Sequence, residues 1–258
     1  MKLHSLVDDK RREALRAAMK RGDFGALVRK EGEAALKNPA APQSASDTRI
    51  RGPNLSVFIP KAIGVPMEEA LAEADEAGLV IASNKRMSKA LVNSNEWRDI
   101  MDVFACWTGT MTAYDKPGQK LGEIIEYTDS KTGIRYVFPV PEEHQGKENV
   151  ILVAEHPGVS LIKDGNDRIV QAAEIGVVEK FPTSKKGWFI GDPKYDIPQG
   201  NEVEGNNQDA RFLWRIEKRV GLFARDIYDY DLNDGSRDIF LDDRSSRELG
   251  VVVESKEV

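Results

Sequence analysis

Helix-like and strand-like patterns are segregated along this chain rather than interleaved, and that segregation limits the folds open to it. Apolar residues at helical spacing are predicted over Met67–Ala77, opened by Pro66 and closed by Gly78, and over one or two helices within Met87–Phe104. A strand is expected before them at Leu55–Ile59. After Phe104 the pattern is short β-branched and aromatic runs, separated by Gly, Pro, Asn and Asp. The expected strands are Leu121–Tyr127, Arg135–Val140, Val150–Ala154, Arg168–Ala172 and Gly176–Lys180. Helices early and strands late predict an α+β domain, not a βαβ array. In Ala210–Glu217 the side chains of Phe212, Trp214 and Ile216 alternate with Arg211, Arg215 and Glu217. That period predicts a half-buried strand with the aromatic residues toward the core.

The first part of the chain differs. Ser5–Arg21 is expected to be helical, with Ser5 and Asp8 making a capping-box-like start, and a second helical stretch runs to about Lys37. Asn38–Asp47 is rich in Pro, Ala and Ser without periodicity, which suits a linker. Residues 1–49 are therefore an arm and linker, and residues 50–258 the main domain. Residues 1–38 hold ten Lys/Arg against six Asp/Glu, +4, which leaves −10 for the rest of a chain whose net charge is −6. A basic arm on an acidic body is expected to be a solvated amphipathic helix that packs, docks or aids oligomerisation. Contact with nucleic acid is the alternative use of such an arm.

Several classes are excluded by what the chain lacks. No apolar run approaches the ~20 residues a membrane helix needs, and Met1–Asp9 has no signal-peptide core. A cytoplasmic or virion-associated setting is expected. One cysteine, Cys106, rules out an internal disulfide and any cysteine zinc cluster. There is no P-loop, no Gly-x-Gly-x-x-Gly and no His-Glu-x-x-His. Cys106 with His144 or His156 would be the pair of a thiol enzyme, but an inert buried Cys and two surface imidazoles are the expectation. Asp229–Gly235 offers oxygens at alternate positions, as calcium loops do. Asp234 and Phe240 stand where an EF-hand needs Gly and Glu, and Asn233-Asp234-Gly235 is a hairpin-turn signal, so no metal or cofactor is assigned.

The C-terminal stretch is anomalous in composition. Arg219–Arg247 contains no Lys, Glu, Gln, Met or Trp, although those types make up 57 of the 258 residues. It is rich in Asp, Tyr, Ser, Asn, Arg and Ile instead. Substituting the first two adenines of an AAC or AAT codon reaches all of the latter and none of the former. Physically such a surface resembles a paratope: Tyr supplies rigid amphipathic contact area, and Asp, Ser and Asn supply adaptable hydrogen bonds.

The stretch from Gly187-Trp188-Phe189 through Asp209–Ile216 to Arg244-Ser245-Ser246 and Leu249–Glu254 resembles the variable proteins of diversity-generating retroelements. The resemblance covers roughly the last seventy residues and is one of spacing and composition. It implies a C-type-lectin fold of the formylglycine-generating-enzyme branch, with variable residues near the C-terminus, within 219–254. By that analogy Val220-Gly221-Leu222 and Leu249–Val253 are scaffold. The displayed residues are Asp226, Tyr228, Asp229, Tyr230, Asp231, Asn233, Asp238, Asp242, Asp243 and Ser245. The formylglycine-generating oxidases use two cysteines, so Cys106 alone cannot carry that chemistry. The implied role is a non-enzymatic one, recognition of a protein or surface ligand.

Overall fold

A computed structural model describes residues 49–51, 54–58, 67–94, 97, 106–128, 133–164, 167–205, 209–214, 219–225, 238–241 and 250–254. The predicted helices and linker within residues 1–48, and residues 95–96 and 98–104 of the Met87–Phe104 helical prediction, lie outside them. So do 215–217, the end of the predicted aromatic strand. Among the described residues β-strands dominate and α-helices are few, as an α+β chain with helices placed early requires.

β1 (Arg49–Arg51) and β2 (Leu55–Phe58) form an antiparallel pair, and β2 also pairs with β15 (Gly250–Glu254), so the two ends of the described chain close in one sheet. Helix α1 (Met67–Glu76) buries Ala70 and Ala74, one turn apart on one face. It ends in two backbone bonds, Gly78 N–H to the Asp75 carbonyl at 2.8 Å and Leu79 N–H to the Ala74 carbonyl at 3.0 Å. This is the Schellman pattern, and it needs the left-handed φ of +66° that Gly78 adopts. Helix α2 (Asn84–Asn93) starts three residues before the predicted Met87, because the Ser83 hydroxyl accepts from the Arg86 amide at 3.3 Å.

The centre of the molecule is β3 (Cys106–Tyr114), nine residues that are all buried. No strand is predicted there, although Thr108, Thr110 and Thr112 alternate with Trp107, Met111 and Ala113; in the fold both sets are buried. Along one edge β3 pairs antiparallel with β13 (Arg219–Arg225), from Arg219 opposite Tyr114 to Arg225 opposite Cys106. The other edge is shared. β15 runs parallel beside Cys106 and Trp107, and β6 (Ile151–Glu155) runs antiparallel beside Thr110–Tyr114. β6 continues to β9 (Gly176–Val178). Beyond β13 come β14 (Asp238–Leu241), β12 (Ala210–Trp214), β10 (Lys186–Gly191) and β11 (Pro198–Glu202), giving eleven described strands in this sheet.

A second sheet has four strands in the order β4 (Ile124–Thr128), β5 (Arg135–Pro139), β8 (Asp167–Ala172), β7 (Val159–Asp164). The first core lies between this sheet, α1 and the main sheet. Trp107, Met111 and Ala113 of β3 meet Ile125, Tyr136, Phe138, Val170 and Val253 there. The alternate residues of β3 and β6 face the other way, where Tyr114, Ile151 and Val153 join Phe181, Phe189, Ile197 and Leu213 in a second core. Both faces of β3 are thus covered, which is why its whole length is apolar or small.

The Ala210–Glu217 expectation is half right. A strand forms over Ala210–Trp214, but the core side carries Leu213, fully buried, while Arg211 is only 6% exposed. Phe212 is half-buried and meets Trp188 edge-on at 5.0 Å. The aromatic alternation marks the face that stacks across strands; the other face holds the core and a buried ion pair.

Candidate functional site

Of the ten C-terminal candidate residues, Asp238 opens β14, where it stands opposite Phe212 of the parallel strand β12. Asp226, Tyr228, Asp229, Tyr230, Asp231, Asn233, Asp242, Asp243 and Ser245 lie outside the described residues, as does the whole Asp229–Gly235 loop. What the fold does describe is where those segments attach. Arg225, the last residue of β13, is opposite Cys106, and so is Gly250, the first of β15. Ala224 is paired with both Trp107 and Phe240, so β14 begins at the same end. Three of the four strand ends flanking the candidate segments, Arg225, Asp238 and Gly250, therefore lie at the Cys106 end of the main sheet, while Leu241 lies opposite Phe223, further along β13. Among the flanking strands β15 is well anchored: Val251, Val252 and Val253 are each fully buried.

Beside this end lies a buried polar network that the sequence reading did not find. Arg211 Nε donates to Asp196 Oδ2 at 2.7 Å, and Ser88 Oγ of α2 donates to the same oxygen. Asn84 Nδ2 donates to the carbonyls of Tyr195 and Asp196, at 3.3 and 3.2 Å, while the Asn84 amide donates to Thr110 Oγ1 at 2.8 Å. The loop that carries Asp196 is folded around Asp192, whose carboxylate accepts from the amides of Lys194, Tyr195 and Ile197 at 2.8–3.1 Å. Asp196 itself has φ +61°, a conformation Asp tolerates better than most residues. The Gly191 position must stay bare, because a Cβ there would run into the Asp196 carboxylate. The signal available in sequence was Asp192-Pro193, an Asx-turn start. The network ties α2, the β10–β11 loop and β12 to the face of β3. Its buried charges are matched, so it fixes geometry rather than offering a reactive group.

Glu155 at the end of β6 has a raised pKa. Burial is the main cause; bonds from Thr110 and Ser83 and the charge of Lys194 oppose it, and Asp192 adds to it. The Thr110 hydroxyl is 3.3 Å from its Oε1.

Cys106 is fully buried in β3. Its side chain falls with Thr108 and Thr110 on one face of the strand, and Gly109 falls on the other. His156 packs on the Gly109 side, since a Cβ on Gly109 would lie 3.1 Å from the His156 Cβ. Cys106 and His156 are thus on opposite faces. His144 sits in the turn Glu142–His144, with Nε2 3.5 Å from Glu179, whose pKa is lowered chiefly by its bond from Lys147. Glu179 directly follows Val178, and Val178 pairs with Ile151, which pairs with Tyr114, at the far end of β3 from Cys106. Neither imidazole meets the thiol. Nor are they the open surface groups expected, because their side chains are 16% and 10% exposed.

His156 is instead paired across the fold. Its Nε2 donates to Asp75 Oδ1 of α1 at 2.6 Å, and its Nδ1 is buried with no partner among the described residues. The pair stands at the rim of a cleft of about 340 Å³ between α1, β3, β7 and β8. Leu71, Met111, Val159, Leu161 and Val170 make its apolar walls; Glu76 and Ser160 complete the rim. No cluster of three or more His, Cys, Asp or Glu placed to hold a metal ion occurs among the described residues, and no helix among them is long and apolar enough to cross a membrane. Comparison with known proteins returns no matching family model, curated protein or solved structure.

Proposed function

We propose that the chain is a recognition protein. Residues within 219–254, diversified as in the variable proteins of diversity-generating retroelements, form its ligand surface on a frame of C-type-lectin type. The single observation that carries this is the gathering of strand ends at Cys106: Arg225, Asp238 and Gly250 flank the two candidate segments from strands rooted in the main sheet. Segments hung from a rigid sheet can vary in side chain without loss of the fold, which is the arrangement recognition loops use. The absence of Lys, Glu, Gln, Met and Trp from Arg219–Arg247 supports a codon-level origin of the variation. The ligand expected is a protein or an exposed surface structure, met by Tyr and Asp side chains.

Sequencing the neighbourhood of the gene tests the proposal without any protein. The expected finding is a reverse transcriptase gene and a repeat of the codons for residues 219–254 that differs from the coding copy at adenines. A locus with neither removes the diversification; a repeat whose mismatches avoid adenines does the same.

A further inference from the structure

None of the residues lining the cleft between α1 and the four-stranded sheet belongs to 219–254, and nothing in the recognition proposal uses it. Its volume of about 340 Å³ is within the range of small-molecule sites, roughly 300–1,000 Å³. It is more than twice the ~150 Å³ of an apolar protein cavity that accepts benzene. The walls are aliphatic and thioether groups, so the body of any occupant must be apolar. Its rim is acidic: Asp75 and Glu76 border the cleft, and no Lys or Arg is among the residues lining it.

The two carboxylates differ in role. His156 holds one oxygen of Asp75, which fixes that side chain at the mouth, half exposed. Glu76 is exposed and has no ion pair among the described residues. An apolar wall rising to two carboxylates favours an occupant with a positive charge at one end and disfavours an anionic one.

We propose that this cleft binds a small cationic amphiphile, an apolar body about the size of two fused rings carrying an amine or ammonium group that sits at the Asp75–Glu76 rim. Three probes of the same shape test it on the full chain: 1-naphthylmethylamine, 1-naphthylmethanol and 1-naphthylacetate, titrated by calorimetry and by methyl NMR. The amine is expected to saturate, to shift the Leu71, Met111 and Leu161 methyl signals, and to bind roughly fivefold more tightly than the acetate at about 20 mM salt. The gap should narrow at about 300 mM salt, where screening is stronger. Glu76→Gln is expected to weaken the amine by roughly two- to fivefold while leaving the alcohol unchanged. Ser160→Trp, at an exposed position on the rim, should abolish binding of all three. If that variant melts early, Ala72→Phe on the opposite wall serves as the block. The proposal is overturned if the acetate binds as well as the amine, if no probe saturates, or if a folded blocked variant still binds the amine.

Discussion

Gly109 is where the central strand changes neighbours. Its amide donates to the Ala82 carbonyl at 2.7 Å, and its carbonyl accepts from the His156 amide at 2.8 Å, so two chain segments close on one residue. A Cβ there would lie 2.9 Å from Ile81 Cγ2 and 3.1 Å from His156 Cβ, and both neighbours are held. Gly109→Ala should therefore destabilise by about 1–3 kcal/mol, the cost of overpacking a closed site, as read from urea denaturation. Glu155 gives a pH signature. Its folded pKa lies above the ordinary 4.5, so its contribution is most favourable below 4.5 and is lost as pH rises through the higher folded value. Glu155→Gln should flatten the stability profile above pH 4.5 and raise stability at neutral pH relative to the parent; a steeper profile in the variant would contradict burial as the main cause. Cys106 should resist thiol reagents in the native protein at neutral pH, because it is fully enclosed in β3. Rapid labelling without unfolding would show that the strand opens.

Among elements, α1 and the half-exposed β4 and β5 were legible because periodicity records burial on one side, and the doubly buried β6 was legible as a short apolar run. β4, β5, β6, β8 and β9 overlap the predicted runs with shifts of a few residues at their ends. The central strand β3 was missed although CWTGTMTAY alternates Thr with Trp, Gly, Met and Ala; both faces are covered, so the threonine face meets a core and not solvent. Short edge strands such as β11, with the sequence PQGNE, carry little apolar signal of any period. Arg211 was misassigned for a different reason. A charged residue next to an aromatic one suggests the solvent face, and only the partner Asp196, fifteen residues away, reverses that. The cleft was equally hidden, because Asp75 and His156 meet over 81 positions of sequence. The Asp196–Arg211 pair supports a prediction at this scale. Arg211→Ala should cost about 3–5 kcal/mol, since it leaves the Asp196 carboxylate buried without its cation. Arg211→Met combined with Asp196→Asn should recover much of that loss, Asn being tolerated at the positive φ of residue 196. A double variant as unstable as Arg211→Ala would mean that the loop geometry, not the charge, is what the pair protects.

At the scale of the whole molecule the described strands of the main sheet form an anchored frame. β2, β15, β3 and β13 lie side by side, and the valines of β15 are as buried as any residue in the chain. The polar network of Asn84, Ser88, Asp196 and Arg211 fastens α2 and the β10–β11 loop against the same sheet. The proposed recognition surface requires that this frame fold without the side chains between Arg225 and Asp238 or between Leu241 and Gly250. Replacing Asp226, Tyr228, Asp229, Tyr230, Asp231 and Asn233 together by Ser should therefore move stability by no more than about 0.5 kcal/mol per position, with a correspondingly small shift in Tm. Leu213→Ala is the control, because its side chain is fully buried in the second core, and it should cost about 2–5 kcal/mol. The two variants are compared by thermal melt and by urea denaturation beside the parent. A display surface requires a small effect from the six substitutions and a large one from the single core truncation. If the six-site variant fails to fold while Leu213→Ala melts near the parent, residues 226–233 are part of the frame, and the proposed recognition surface has to be given up.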